Sequence, residues 1–227
     1  MSVKHFLPSL DDKRRKADQP EANILAALFE QYGQRRPYGK NEFVFREDDR
    51  TEEIYWVQTG LIKISQSAHE GQGITLFLRR AGEVFGAAEV LTKQRRQRFA
   101  RCIVDSEVRV LSSSRFTSMV LERPEALYAL TVSNARRLLH TQRYVETLIS
   151  WPVAWRLAHL LLQLGDLQSD NEVHVSLPLT HEEISYLIGC TRQTVTETLS
   201  RWRAEGLIHY DRKQVIIYDA DRLLPCP

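Results

Sequence analysis

The spacing of apolar residues changes character along the chain. Asn23 to Gln31 (NILAALFEQ) repeats apolar side chains at helical intervals and predicts one short amphipathic helix that stops near Gly33. From Pro37 to about Ser114 the pattern turns to short β-rich runs: Phe43–Phe45, Ile54–Val57, Leu61–Ile64, Ile74–Leu78, Cys102–Val104 and Val108–Leu111. Gly39, Gly60, Gly71, Gly73 and Gly82 punctuate them at turn positions, which predicts a barrel or double-sheet jelly roll. Helical spacing then returns. Phe116 to Leu121 predicts a short helix, and Pro124 fits the first turn of a long one. Along it Leu127, Thr131, Asn134, Leu138, Thr141, Val145 and Leu148 alternate spacings of four and three, the seam of a coiled coil. The seam favours a parallel homodimer, with Asn134 and Thr141 as polar positions that fix register or meet a ligand. A helix packed on its own sheet is the competing explanation. Trp151-Pro152 breaks the helix, Val153 to Leu164 predicts another, and His174 to Leu177 a short strand.

Composition narrows the class. The chain has 227 residues, 43% hydrophobic and 26% charged, enough to bury real cores. Lys plus Arg is 31 against Asp plus Glu 29, so bulk charge alone does not hold this chain to nucleic acid. No apolar run reaches the roughly 18 residues of a spanning helix, so no membrane is expected. Met1 to Phe6 leads into polar sequence without a signal-length apolar run, and Asp11 to Pro20 (DDKRRKADQP) reads as part of a disordered tail. Cys102, Cys190 and Cys226 form no CxxC pair and no even disulfide framework, which favours a cytoplasmic protein without structural zinc. No nucleophile–base–acid constellation or metal-ligand spacing is evident, so neither catalysis nor a metal is expected.

The strongest local signal runs from Leu179 to Gly206. Thr180 with Glu183 makes a capping box before a short helix whose apolar face is Ile184, Leu187 and Ile188. Gly189 supplies a turn, and Thr191 caps a second helix with Val195, Leu199 and Trp202 inward. Two short helices joined by a glycine turn make a helix-turn-helix. Arg192, Gln193, Thr196 and Glu197 then fall on the outward face that enters the major groove, where Arg suits guanine, Gln adenine and Glu cytosine. A solvated face on an ordinary helical hairpin is the bland alternative. Leu207–Tyr210 and Val215–Tyr218, joined by a turn with Arg212 and Lys213, predict a β wing whose turn contacts phosphate.

A glycine-punctuated jelly roll, a long helix and a winged helix-turn-helix together resemble the CRP/FNR family of bacterial transcription regulators. LTHEEISYLIGCTRQTVTETL is similar to that family's DNA-binding signature, and the likeness spans about Ala22 to Leu224. Within the family, GLIKIS, AGEVFGAAEVLT, QRFA and GCTRQTVT look most like its cyanobacterial nitrogen-control members. The resemblance implies an α+β chain: a tail over 1–20, a cyclic-nucleotide-binding-like jelly-roll sensor domain over 21–123, a dimerisation helix over 124–150, and a winged helix-turn-helix over 151–227. It also implies a homodimer on a palindromic site in double-stranded DNA, contact with RNA polymerase, and 2-oxoglutarate as effector between the roll and the dimer helix.

Carried over residue by residue, the effector loop runs from Phe85-Gly86 to Arg98-Phe99, with Arg137 on the long helix. Two arginines suit a dicarboxylate because each makes bidentate, charge-assisted bonds. Gln142 stands where those members have Glu, and Glu197 where they have a second Arg. The cAMP cassette needs a Glu after the loop Gly and a Ser after the Arg. Ala87 and Phe99 replace them, so cAMP ranks below a small carboxylate. Haem has no support, since a lone His69 or His140 is more often structural. The run Lys93 to Arg101 (KQRRQRFAR) holds five basic residues and no acid. It reads as a solvated loop or, at Arg98, as a site for a ligand anion. An effector-independent regulator stays open. Trp56, Trp155, Cys102 and Cys190 are expected to pack in cores.

Overall fold

The computed structural model describes residues 20–67, 73–168, 171–176, 178–211 and 214–223. The predicted tail up to Gln19, and His69, Arg212, Lys213 and Cys226, lie outside the described residues. Two compact units meet within one helix, the first ending at His140 and the second starting at Thr141.

In the first unit, α1 (Pro20–Tyr32) leads into eight strands: β1 (Gln34–Tyr38), β2 (Phe43–Phe45), β3 (Glu53–Thr59), β4 (Leu61–Ser67), β5 (Gly73–Arg80), β6 (Val84–Phe85), β7 (Phe99–Cys102) and β8 (Ser106–Ser112). A short helix, α2 (Ala87–Leu91), lies between β6 and β7, and α3 (Ser113–Glu122) and α4 (Pro124–Ser150) follow. The strands form two antiparallel sheets, ordered β1-β8-β3-β6 and β2-β7-β4-β5. Strand β3 shows why its run is apolar on both faces. Tyr55 and Val57 point between the sheets, against Phe45, Ile62, Phe85 and Val108. Ile54 and Trp56 point the other way, onto Leu28, Phe29, Phe116 and Leu130 of the helices.

Three elements had no periodic signal. Strand β1 (QRRPY) is polar and holds Pro37, which an edge strand tolerates because it pairs only with β8. Ion pairs Arg35–Glu107 and Arg36–Glu53 tie it down. β6 and α2 are too short to show a period. The strand expected at Cys102–Val104 instead ends at Cys102, because the chain then bends to Asp105, whose carboxylate accepts the Lys40 amide at 2.8 Å.

In the second unit, α5 (Val153–Leu164) follows Pro152 and packs Leu157, Ala158 and Leu161 inward. Then come β9 (Asp166–Leu167), β10 (Val173–Ser176), α6 (His181–Ile188), α7 (Arg192–Ala204), β11 (Ile208–Tyr210), β12 (Gln214–Ile217) and α8 (Ala220–Leu223). A four-stranded antiparallel sheet in the order β11-β12-β10-β9 backs the helices. The strand expected at His174–Leu177 begins one residue earlier, and Leu177 lies outside the described residues. Among the described residues no helix is long and apolar enough to cross a membrane.

Candidate functional site

Local sequence fixes the ends of both helices of the helix-turn-helix. Thr180 Oγ1 accepts from the Glu183 amide at 3.2 Å, and the Glu183 carboxylate accepts from the Thr180 amide at 2.9 Å. Gly189 closes α6 in the left-handed region at φ 63°, and a Cβ there would stand 2.8 Å from the Leu148 side chain. Thr191 Oγ1 accepts from the Thr194 amide at 3.1 Å. Thr180 and Thr191, which were also expected among the DNA contacts, use their hydroxyls as caps and so aim the helices.

On α7, Val195, Thr198, Leu199 and Trp202 are buried, leaving Arg192, Gln193, Thr196 and Glu197 exposed together. They do not act singly. Gln193 Nε2 donates to Glu197 Oε1 at 2.8 Å, so the two form one polar pair at i and i+4. Thr196 Oγ1 lies 2.9 Å from His181 Nδ1, across from the first helix. His181 was not anticipated. Burial, and then the charge of Arg192, hold its pKa below the ordinary histidine range. The wing strand joins the same frame, with Tyr210 Oη 3.2 Å from Ser200 Oγ and the Arg203 guanidinium 5.0 Å from the Tyr210 ring centre.

The predicted dimer seam is uncovered for most of its length. Leu127, Leu138 and Val145 are 44%, 59% and 49% exposed. Thr131 and Asn134 are exposed too, while Thr141 and Leu148 are half-buried. The buried residues of α4 are Ala126, Ala129 and Leu130, a different stripe near its start. Trp155 is half-buried and stacks on Trp151 at 4.2 Å, so it is not the core residue expected, because α5 presents it on a groove wall. Cys190 is half-buried, whereas Cys102 is fully enclosed.

The sensor loop divides its arginines. Arg96 is 1% exposed. Its Nη1 donates to Gly86 O at 2.6 Å and lies 3.5 Å from the Glu89 carboxylate, Nη2 donates to Glu53 O, and the guanidinium sits 4.4 Å from the Phe45 ring centre. The basic run therefore contains a structural cation that charge counting had treated as surface. Gly86, at φ 75°, faces it so closely that a Cβ would stand 2.9 Å from Arg96 Nη1.

Arg98 is half-buried, and its Nε is shut from solvent with no hydrogen-bond acceptor. Arg137 donates Nη2 to Val84 O at 2.7 Å, beside the loop. A third arginine, Arg79, joins them. Burial, helped by the positive charges of Arg137 and Arg98, pushes its guanidinium down to about 10, against the opposing pull of Glu83 and Glu89. Burial also lowers Arg137 while Glu83 raises it. Arg79 Nη1 donates to Leu78 O at 3.0 Å, and its Nε is a second buried N–H without an acceptor. Strand alternation offered the missing signal, since Phe77 and Arg79 share one face of β5, opposite Ile64 and Ile62, and Phe77 packs on the roll's interior.

Two expected effector side chains pack in other surroundings. The Phe85 ring is 1% exposed and stacks on Tyr55 at 5.1 Å, so it belongs to the core. Phe99 meets Phe43 edge-on at 5.6 Å, because alternation along β7 turns it away from buried Ala100 and Cys102. Gln142 is exposed. Ala87 is 3% exposed and offers no acceptor for a ribose hydroxyl.

Comparison with known proteins adds to this geometry. Residues 35–123 match the model of the cyclic nucleotide-binding domain, and residues 155–226 that of the Crp-like helix-turn-helix domain. The CRP-like cAMP-activated global transcriptional regulator of Mycobacterium tuberculosis is 32% identical over 208 residues, covering 89% of this chain and 92% of that protein. The global nitrogen regulator of Synechococcus elongatus is 29% identical over 208 residues, covering 87% and 94%. Among solved structures, FixK2 from Bradyrhizobium japonicum shares the fold with a TM-score of 0.73 at 23% identity, over 84% of this chain and 95% of that one.

Proposed function

Because the chain belongs to the CRP/FNR family of transcription regulators, we propose that it acts as a homodimer on a palindromic promoter site, with a small anion setting its affinity for DNA. The observation that carries this reading is the exposed quartet Arg192, Gln193, Thr196 and Glu197 on a capped helix beside a wing. Two such helices, about 34 Å apart across a two-fold axis, fit successive major grooves. The exposed stripe of α4 supplies the surface between the copies, and bound RNA polymerase is the expected consequence of promoter binding. Lys213 is proposed as a phosphate contact from the wing.

The effector favoured is a small carboxylate such as 2-oxoglutarate. Arg98 and Arg137 support it, and Ala87 disfavours cAMP. Differential affinity for one arrangement of the dimer helices would couple the anion to the spacing of the recognition helices. Titration of promoter DNA with and without 2-oxoglutarate or cAMP tests this. Arg98→Ala should abolish the effector response while effector-free DNA binding persists. A response retained at wild-type concentrations rejects the pocket. Gln142 and Ala87 favour a second reading, a regulator that binds DNA without any effector. Calorimetry showing no heat with either compound, alongside full DNA affinity, would establish it. Arg192→Ala should cost about 1–3 kcal/mol of base discrimination, and an unchanged site preference in a binding selection would reject its role.

A further inference from the structure

We propose that Arg79, not Arg137, is the partner of Arg98 in anion binding, and that the pair takes the two carboxylates of a short dicarboxylate. This rests on the effector reading above and reassigns one of its two arms.

The argument starts from what each guanidinium already holds. Arg137 donates to the Val84 carbonyl at 2.7 Å, so it braces the start of the effector loop. Glu89 faces Arg96 at 3.5 Å. Arg79 and Arg98 differ from these. Among the described residues neither has a carboxylate within ion-pair range, and the only hydrogen bond of either is from Arg79 to the carbonyl of its own neighbour, Leu78. Each keeps its Nε buried and unmet, as Arg96 does, but Arg96 has two carbonyls and Glu89 for its terminal nitrogens. A buried N–H with no acceptor is costly, and a buried charge without a counter-ion costs more. The Nε and one Nη of a guanidinium form the fork that grips a carboxylate side-on. Two such forks are left open, from β5 and from the start of β7. Two unmatched cations call for two anionic groups. A cyclic phosphodiester brings one negative charge, and a monocarboxylate likewise leaves one fork empty. The lowered pKa of Arg79, set first by burial and then by the charges of Arg137 and Arg98, fits this picture, since a bound carboxylate would offset all three.

The test is calorimetry on the full-length protein with 2-oxoglutarate and with 2-oxopentanoate, which replaces the distal carboxylate by a methyl group. Wild type should bind the dicarboxylate about tenfold more tightly or better, as expected of a site that leaves a buried polar group unpaired with the analogue. In Arg79→Met that preference should fall to about twofold or less, with 2-oxopentanoate affinity little changed, since only the second fork is removed. Arg137→Met should keep the preference. Arg79→Lys, which retains the charge and loses the fork, should fall between wild type and Arg79→Met. Without ligand, Arg79→Met should melt at or above the wild-type temperature, because it deletes a buried unmatched charge, whereas a purely structural Arg79 predicts a lower one. A full preference kept by Arg79→Met, or one lost in Arg137→Met instead, overturns the assignment and leaves the effector reading standing. If wild type binds neither acid, the effector reading falls and this proposal falls with it.

Discussion

Arg96 and Arg98 share one basic loop and have opposite surroundings. Arg96 is enclosed by two carbonyls, a carboxylate and an aromatic face. Both keep a buried Nε without an acceptor, but Arg98 is half-buried and has no carboxylate within ion-pair range among the described residues. Burial alone does not distinguish a structural cation from a binding one. What separates them is whether the fold supplies the acceptors. A guanidinium whose terminal nitrogens and charge are already met holds the loop in shape, and one whose charge is unmet is left for an anion from outside.

Substitutions can sharpen or break this contrast. The largest effect is expected from Arg96→Ala, which strands Glu89 and two carbonyls and should cost about 3–5 kcal/mol in urea unfolding. A loss as small as that of a surface residue would end the distinction. Gly86→Ala comes next, at about 1–3 kcal/mol, because it forces a side chain into the left-handed region against Arg96 and Tyr55. Thermal melting reads it, and an unchanged midpoint would mean that the turn is not held by Arg96. Glu53→Gln probes the rim of the same enclosure, where Arg36 donates to Glu53 at 2.7 and 2.8 Å and holds its carboxyl below the ordinary carboxylate range. Both side chains are about a third exposed, so the pair contributes at most about 1 kcal/mol. The sign follows from the lowered native pKa. The contribution is full above the ordinary carboxylate value and is lost as pH falls through the native one. Melting curves of wild type and Glu53→Gln should therefore separate near neutral pH and converge in acid. The smallest effect belongs to Arg98→Met, which should leave the ligand-free melting temperature within about 2 °C of wild type, a surface-like change. A large drop would show that Arg98 is structural after all.

Features written in neighbouring residues were legible without coordinates. The Thr180–Glu183 box, the Gly189 turn and the Pro124 start need only local chemistry, and the predicted helix Val153–Leu164 has the observed bounds. Alternating strands such as Glu53–Thr59 were found because both of their faces are apolar. Strand β1 escaped because its stability comes from partners 72 and 17 residues away, Glu107 and Glu53. The arginines escaped for the same reason. Lys93 to Arg101 shows five positive charges, but the enclosure of Arg96 depends on Gly86, Glu53 and Phe45, which the chain brings in from elsewhere. Arg79 falls just past the predicted run Ile74–Leu78, and only its neighbours Arg98 and Arg137 give it meaning.

The uncovered stripe of α4 has a consequence for dosage. With a second copy as its proposed cover, the assembled species scales with the square of subunit concentration where most subunits are dissociated. Halving the subunits then leaves roughly a quarter of the active species under that mass-action law. A cell could silence such a regulator by dilution through growth, with no change in its ligand.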